Sequence, residues 1–186
     1  SVAQGEDFDP SHDNIDARTI TRRLDNGSTV VYLPKKTRGE SVVASINLDF
    51  GNEAELFDQS VIGNMAVIML DRGTQKYSRE ELQAAFDALK ASVSVSGGST
   101  GAGAGILTTR KNLAAVMELT EEIFKYPTFD SEELKVLKEE MIVGLEQEKQ
   151  QPTSRVFREL GNHLNPYNPG HPYYQISIDD EIAQIK

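Results

Sequence analysis

The sequence contains no cysteine among its 186 residues, and this absence excludes several kinds of chemistry. Without thiols there is no disulfide framework, no thiolate nucleophile and no zinc site built on cysteine. Long apolar runs are also missing, because no stretch reaches the ~18 consecutive residues expected of a membrane-spanning helix. We therefore predict no membrane span, and the cysteine content leaves the redox compartment open.

Positive charge is scarce as well. The chain carries 19 Lys and Arg against 29 Asp and Glu, which gives a formal net charge of -10. A nucleic-acid surface needs clustered Lys and Arg to displace counterions from phosphates, so the balance argues against a nucleic-acid partner. An anionic membrane surface is disfavoured for the same reason. A hydrophobic content of 38% with 26% charged residues is that of an ordinary globular domain.

The two ends of the sequence suggest a fragment. Residues 1–16 are polar and acidic with almost nothing to bury, which favours a linker or extended arm. No basic and then apolar stretch opens the sequence, so we expect any targeting segment to have been removed or to lie elsewhere. Residues 17–186 are predicted to form a single domain that is truncated at its C-terminal end.

Strand signals occur in three places. Asn26-Gly27 between two runs of β-forming residues predicts a hairpin. Residues 41–51 alternate and place apolar side chains on one face, so they predict a third strand. The small-residue stretch 92–110 also has a period of two and predicts two adjacent strands.

Helix signals occupy most of the remaining chain. Ser78 and Glu81 form a capping-box pair at the start of one helix, and Asp130 is predicted to cap a long charged helix. The other predicted helices are 60–71, 112–126 and 153–165, with a loop at 166–174. In the first of these we expect Met65, Val67, Ile68 and Met69 to be mostly buried. Segregated strands and helices predict an α+β fold, an antiparallel sheet with helices packed on one face.

Three features of the sequence contain residue types that occur in functional sites. The glycine-rich stretch at 97–105 lacks the Lys-Ser or Lys-Thr of a phosphate loop, which favours a close-packed strand. No two of His12, His163 and His171 have the i, i+4 spacing of a shared metal site, although His163 and His171 flank one loop. The glutamates at 132–148 are typical of a solvated helix face rather than of catalytic carboxylates.

The order of the motifs resembles one peptidase family. Phe-Gly-Asn-Glu ends a strand, Asp-Arg-Gly-Thr ends an apolar helix, Tyr-Ser-Arg-Glu-Glu-Leu and Ser-Val-Ser-Val-Ser follow, and His-Pro-Tyr comes much later. This order resembles the pitrilysin/insulinase-type zinc metallopeptidases, the inverzincins, which include mitochondrial processing peptidase. The resemblance covers almost everything from Ala17 to the C-terminus. It implies a domain of the metallohydrolase type that those enzymes contain.

Active members of that family carry His-x-x-Glu-His on the helix before Gly-Thr, where two histidines bind zinc and the glutamate activates water. Counted back from Gly73-Thr74, these places are occupied by Asn64, Val67 and Ile68. Valine has no group that accepts a proton, isoleucine has no lone pair, and asparagine is a poor zinc ligand. The resemblance therefore implies no catalytic residue and no metal ligand in this chain.

The family's third ligand is a glutamate on the long helix. The resemblance places this ligand near Gly144 and Leu145, which are not carboxylates. Glu146 is adjacent, so an alignment shifted by one residue would supply a carboxylate. A single carboxylate does not hold zinc, and the expectation of no metal in this chain is unchanged.

The resemblance also implies partners. Such enzymes pair a zinc-bearing half with a catalytically silent half, and together the halves enclose a peptide-binding chamber. The favoured function is thus a silent, non-catalytic domain beside an active half in cis or in trans, with zinc only in that half and a peptide as substrate. The family's Arg-Tyr substrate-contacting pair is expected after the last residue, Lys186. The alternative is a stand-alone interaction or scaffold module, and a periplasmic location is expected from resemblance alone.

Overall fold

The computed structural model describes residues 4–186, and its first regular element is helix α1 (His12–Arg18). Ser11 caps this helix by accepting a hydrogen bond from the Asn14 backbone N–H. The last part of the predicted linker or arm is therefore helical and not extended, because a good N-cap and an acidic first turn favour a helix even without buried residues. Glu6, in the segment before α1, forms an ion pair with Arg18 of that helix at 2.9 Å. The domain boundary at residue 17 stays a prediction.

The predicted hairpin is confirmed. Strands β1 (Ile20–Arg23) and β2 (Thr29–Tyr32) pair antiparallel around the Asn-Gly turn. Gly27 adopts a φ of +87°, a left-handed conformation that glycine tolerates without steric cost. All eight strand residues are exposed, so the hairpin adds little to the core.

The main sheet has three antiparallel strands in the order β3-β5-β4. They are β3 (Ser41–Asp49), β4 (Ser92–Gly98) and β5 (Gly101–Thr109), so the glycine-rich stretch belongs to a β-hairpin and not to a phosphate loop. The small residues allow close strand contact, since a Cβ on Gly103 would lie 2.5 Å from the Ile46 carbonyl oxygen.

The helices follow the predicted positions closely. Asp130 caps the long helix through two backbone N–H groups, and both hydrogen bonds of the Ser78–Glu81 capping box are present. The predicted helices are α3 (Ser60–Met69), α4 (Arg79–Ala88), α5 (Leu113–Lys125), α6 (Ser131–Lys149) and α7 (Pro152–Leu164). Three further helices were not predicted: α1, the single turn α2 (Glu53–Leu56) and the C-terminal α8 (Ile178–Ile185).

Two hydrophobic clusters hold these elements together. The sheet cluster packs α4 and α5 against one face of the three-stranded sheet, and Ile106 and Val116 are among its buried members. The helical cluster joins α3, α6 and α8 through residues such as Met65, Leu145 and Ile182. Val43 is exposed on the opposite face of the sheet, so the helices cover one face only.

These features confirm the predicted α+β fold with an antiparallel sheet and helices on one face. Within residues 4–186, no helix combines the length and apolar character needed to cross a bilayer.

Candidate functional site

The three positions that the resemblance assigns to the zinc motif lie within about 100° of one another around α3, yet they differ in burial. Asn64 is half-buried and lines a cleft, Val67 is only 4% exposed, and Ile68 is 41% exposed. The prediction that Ile68 is mostly buried is therefore wrong. Successive helical residues are about 100° apart, which places Ile68 outside the arc that Met65 and Met69 turn towards the helical cluster.

Val67 faces the sheet side of its helix. Gly63, one turn earlier on the same face, approaches the β4–β5 turn so closely that a Cβ on it would lie 3.1 Å from Ser99 Cα. A side chain at position 67 is consequently enclosed between α3 and the sheet layer. Such a place suits a hydrocarbon and not a catalytic carboxylate.

None of residues 144–146, the region predicted for the third ligand, lines the cleft to which Asn64 contributes. Leu145 is buried in the helical cluster, where it packs with residues of α3 such as Met65. Gly144 is exposed, and a Cβ built on it would have no neighbour within 4 Å. Glu146, the residue that a one-residue slip would supply, is exposed on the surface of α6.

These residues do not fit a zinc ion. An amide, two hydrocarbons and a glycine replace the ligands and the base, and zinc prefers imidazole, thiolate or carboxylate. Among residues 4–186, no group of three or more His, Asp and Glu side chains is placed to hold a metal.

The three histidines lie in different surroundings. His12 is exposed at the start of α1, and His163 is exposed on α7 beside a groove that contains Lys149 and Leu160. His171 instead stacks on Tyr167 in the 166–174 loop. The possible shared role of His163 and His171 receives no support from these contacts.

A polar cleft of about 570 Å³, here called the Asn64 cleft, is lined in part by the first of the three positions that the resemblance assigns to the zinc motif. Helix α3 contributes Asn64 to one wall, and the segment 172–176 forms another. The complete lining consists of Ser60, Val61, Asn64, Glu148, Ser154, Phe157, Arg158, Pro172, Tyr173, Tyr174, Gln175, Ile176 and Glu181.

Arg158 is the central charge of the Asn64 cleft. Its guanidinium makes two contacts with the Glu148 carboxylate, at 3.0 and 3.3 Å, and donates to Glu181 at 2.9 Å. It also donates to the Ile176 carbonyl oxygen at 2.9 Å. Desolvation alone would lower the pKa of Arg158, but the hydrogen bonds that Arg158 donates to the Glu148 and Glu181 carboxylates outweigh it and raise that pKa above its ordinary value.

This network has a structural consequence. Helix α7 contains no fully buried residue, and it is joined to its neighbours by the hydrogen bonds of Arg158 and by a reciprocal pair of hydrogen bonds between Asn162 and Gln175. The segment 172–176 is further fixed by Ser99, whose hydroxyl donates to the Pro172 carbonyl oxygen at 3.0 Å. Four helices, α3, α6, α7 and α8, thus meet the segment 172–176 at this cleft.

Sequence reasoning missed this cleft. Arg158 and its two carboxylate partners are ordinary charged residues in three separate helices, and no local pattern indicates that they meet. Pro172 and Tyr173 of the His-Pro-Tyr motif line the cleft, a role that the family resemblance alone does not predict.

Comparison with solved structures identifies the class of fold. A chain described as a peptidase M16 inactive domain from Pseudomonas fluorescens superposes with a TM-score of 0.71 at 19% identity, over 90% of this chain and 42% of that one. A protease from Helicobacter pylori gives 0.70 at 17% identity, over 89% and 40%. The periplasmic protease PqqL from Escherichia coli gives 0.67 at 13% identity, over 100% and 19%. No family profile and no curated protein sequence matches the chain.

The chain therefore has the fold of peptidase M16 domains, and it resembles a domain of that class described as inactive. It spans 42% or less of the length of these three structures. At these identities the likeness shows the fold.

Proposed function

We propose that this chain is the catalytically silent domain of a zinc peptidase and that it lines a peptide-binding chamber beside a zinc-bearing half. The observation that carries the proposal is the enclosure of Val67 in the position where active relatives need a proton-accepting glutamate. A hydrocarbon packed against the sheet layer cannot activate water. Chemistry, where it occurs, is therefore assigned to the partner half.

The match to longer proteases supports the existence of such a partner. Domains of this fold occur in chains of which this one covers 42%, 40% and 19%. The active half is proposed to lie on the same polypeptide or in a complex, and zinc is expected only there.

Helix α7 supports a role in binding unfolded peptide. Its apolar side chains are unpartnered: Phe157 is 70% exposed, and Val156, Leu160 and Leu164 are exposed beside it. A ridge of this kind is typical of an interaction surface. Phe157 also lines the Asn64 cleft, so apolar and polar binding groups are contiguous.

The proposal is tested with the full-length protein and an unstructured, quenched fluorescent peptide. We expect cleavage that a chelator abolishes and added zinc restores, while the 186-residue chain alone cleaves nothing. A full-length protein with no His-x-x-Glu-His motif and no chelator-sensitive cleavage would favour the scaffold alternative. Cleavage by the isolated chain would refute the assignment of a silent domain.

The periplasmic location is part of the proposal and rests on resemblance, including that to PqqL, which is described as a periplasmic protease. Fractionation of cells that express the full-length protein tests it. Recovery with cytoplasmic markers would contradict it.

A further inference from the structure

His171 is enclosed by aromatic rings in the loop that forms part of the Asn64 cleft. Its imidazole stacks on the Tyr167 ring at 4.1 Å with an interplanar angle of 11°. The Tyr173 ring lies 5.4 Å away on a tilted plane. The His171 side chain is only 15% exposed, so its position is determined by its neighbours.

The two ring nitrogens of His171 face different partners. Nδ1 accepts a hydrogen bond from the Tyr173 backbone N–H at 3.0 Å, which requires that Nδ1 carries no proton. Nε2 lies 3.9 Å from Glu53 Oε1, too far for a hydrogen bond but close enough for an ion pair with imidazolium.

The charged groups around His171 come from α2 and from the residues just after it. Glu53 faces Nε2, and Asp58 follows the helix, where its backbone N–H donates to the Gly170 carbonyl oxygen at 2.8 Å. The Asp58 carboxylate is also beside the loop, since a Cβ on Gly170 would lie 2.7 Å from its Oδ1. Within the loop, the titratable neighbours are Tyr167 and Tyr173.

We propose that His171 is a two-position switch that couples pH to the wall of the Asn64 cleft. When a solvent proton binds Nδ1, two N–H donors face each other and the hydrogen bond from Tyr173 breaks. The imidazolium then moves towards Glu53, so that its Nε2–H comes within hydrogen-bonding distance of the Glu53 carboxylate. The Tyr173 N–H is released as a free donor in a residue that lines the cleft. This inference rests on the geometry of the loop and does not require the proposed peptidase role.

Nuclear magnetic resonance on the ¹⁵N-labelled 186-residue chain tests the switch between about pH 5 and 8. We expect the Tyr173 amide signal to move together with the ring signals of His171. His12 and His163 are internal controls, because both are exposed and neither contacts the loop in the way His171 does. A Tyr173 amide that stays fixed while His171 titrates would overturn the proposal.

Two variants separate the switch from a general loosening of the loop. His171→Asn keeps an acceptor that cannot titrate in this range, so the pH transition of the Tyr173 amide should disappear while the rest of the spectrum is retained. Glu53→Gln removes the carboxylate that faces Nε2 and should alter that transition. His163→Asn is the matched control and should change neither. Persistence of the transition in His171→Asn would assign it to another group and refute the inference.

Discussion

Replacing Val67 by glutamate is the sharpest test of how α3 packs. The side chain is 4% exposed, whereas the next residue, Ile68, is 41% exposed on the same helix. Val67→Glu and Ile68→Glu therefore introduce the same group one residue apart, once in an enclosed position and once in an open one. The second variant is the control for helix propensity and net charge.

The expected loss can be worked from burial. Removing a buried valine costs about 1.5–2 kcal/mol of hydrophobic stabilisation. A fully buried glutamate can reach a pKa of about 8–9 against an unfolded value of about 4.3, which costs about 3–4 kcal/mol at pH 7. We therefore expect Val67→Glu to lower the free energy of unfolding by about 5 kcal/mol at pH 7. Ile68→Glu should cost below about 1 kcal/mol.

The pH dependence gives a second check. A carboxyl whose folded pKa is raised binds a proton more tightly in the folded state, so its penalty is smallest at low pH and grows as pH rises above the unfolded pKa. The loss in Val67→Glu should shrink to about 2 kcal/mol at pH 4, where little of the charge penalty remains. Urea unfolding followed by circular dichroism at pH 4 and 7 measures both values.

Equal losses in the two glutamate variants, or a Val67→Glu loss that does not change with pH, would show that position 67 is not enclosed. If Val67→Glu does not fold at pH 7, the isosteric Val67→Thr takes its place. Val67→Thr should lower the free energy of unfolding by about 1–2 kcal/mol, because it buries a hydroxyl group.

Four further predictions concern metal binding, helix α6 and the Asn64 cleft. The isolated chain should contain no stoichiometric zinc by elemental analysis. The triple variant Asn64→His, Val67→Glu, Ile68→His should bind zinc weakly and cleave no peptide, and chelator-sensitive turnover by it would reveal a complete latent site. Gly144→Ala should raise the free energy of unfolding by up to about 1 kcal/mol in urea, because that helical glycine is exposed and unobstructed. Arg158→Gln should lower it by about 1–2 kcal/mol, and an unchanged melt would show that its ion pairs do not hold α7.

Local chemistry explains the elements that the sequence predicts well. Ser78 and Glu81 satisfy each other's backbone N–H groups at the start of α4, and this depends only on residues three apart. The Asn26-Gly27 turn is equally local. Such features form wherever the right residues are adjacent, so they can be read without knowledge of the tertiary structure.

Helix α8 shows where local reading fails. Its buried residues Ile178, Ile182 and Ile185 have helical spacing, and Ser177 caps its start, so the signal was present. An isolated helix of eight residues is nevertheless marginal in water. It is stable here because it packs on α3 and α6 in the helical cluster, a contact that no local pattern encodes.

The sequence also predicts only in part which apolar side chains of a helix are buried. On α5, the apolar side chain of Met117 is 39% exposed, while that of Val116 beside it is fully buried. As for Ile68, the apolar residue type does not decide the outcome. The arc of a helix that becomes buried is set by the elements that pack on it, and these come from distant parts of the chain.

The composition of α3 now has a physical explanation. The helix lies between two layers, with Met65 and Met69 in the helical cluster and Gly63 against the β4–β5 turn, so most of its circumference must be apolar or small. The remaining open arc holds Asn64 and Ile68. Residue types alone lead to the prediction that the family's zinc ligands are missing at these two places. They could not indicate that Arg158 and the 166–174 loop form a polar cleft next to Asn64, because that arrangement exists only after α7 and α8 have packed.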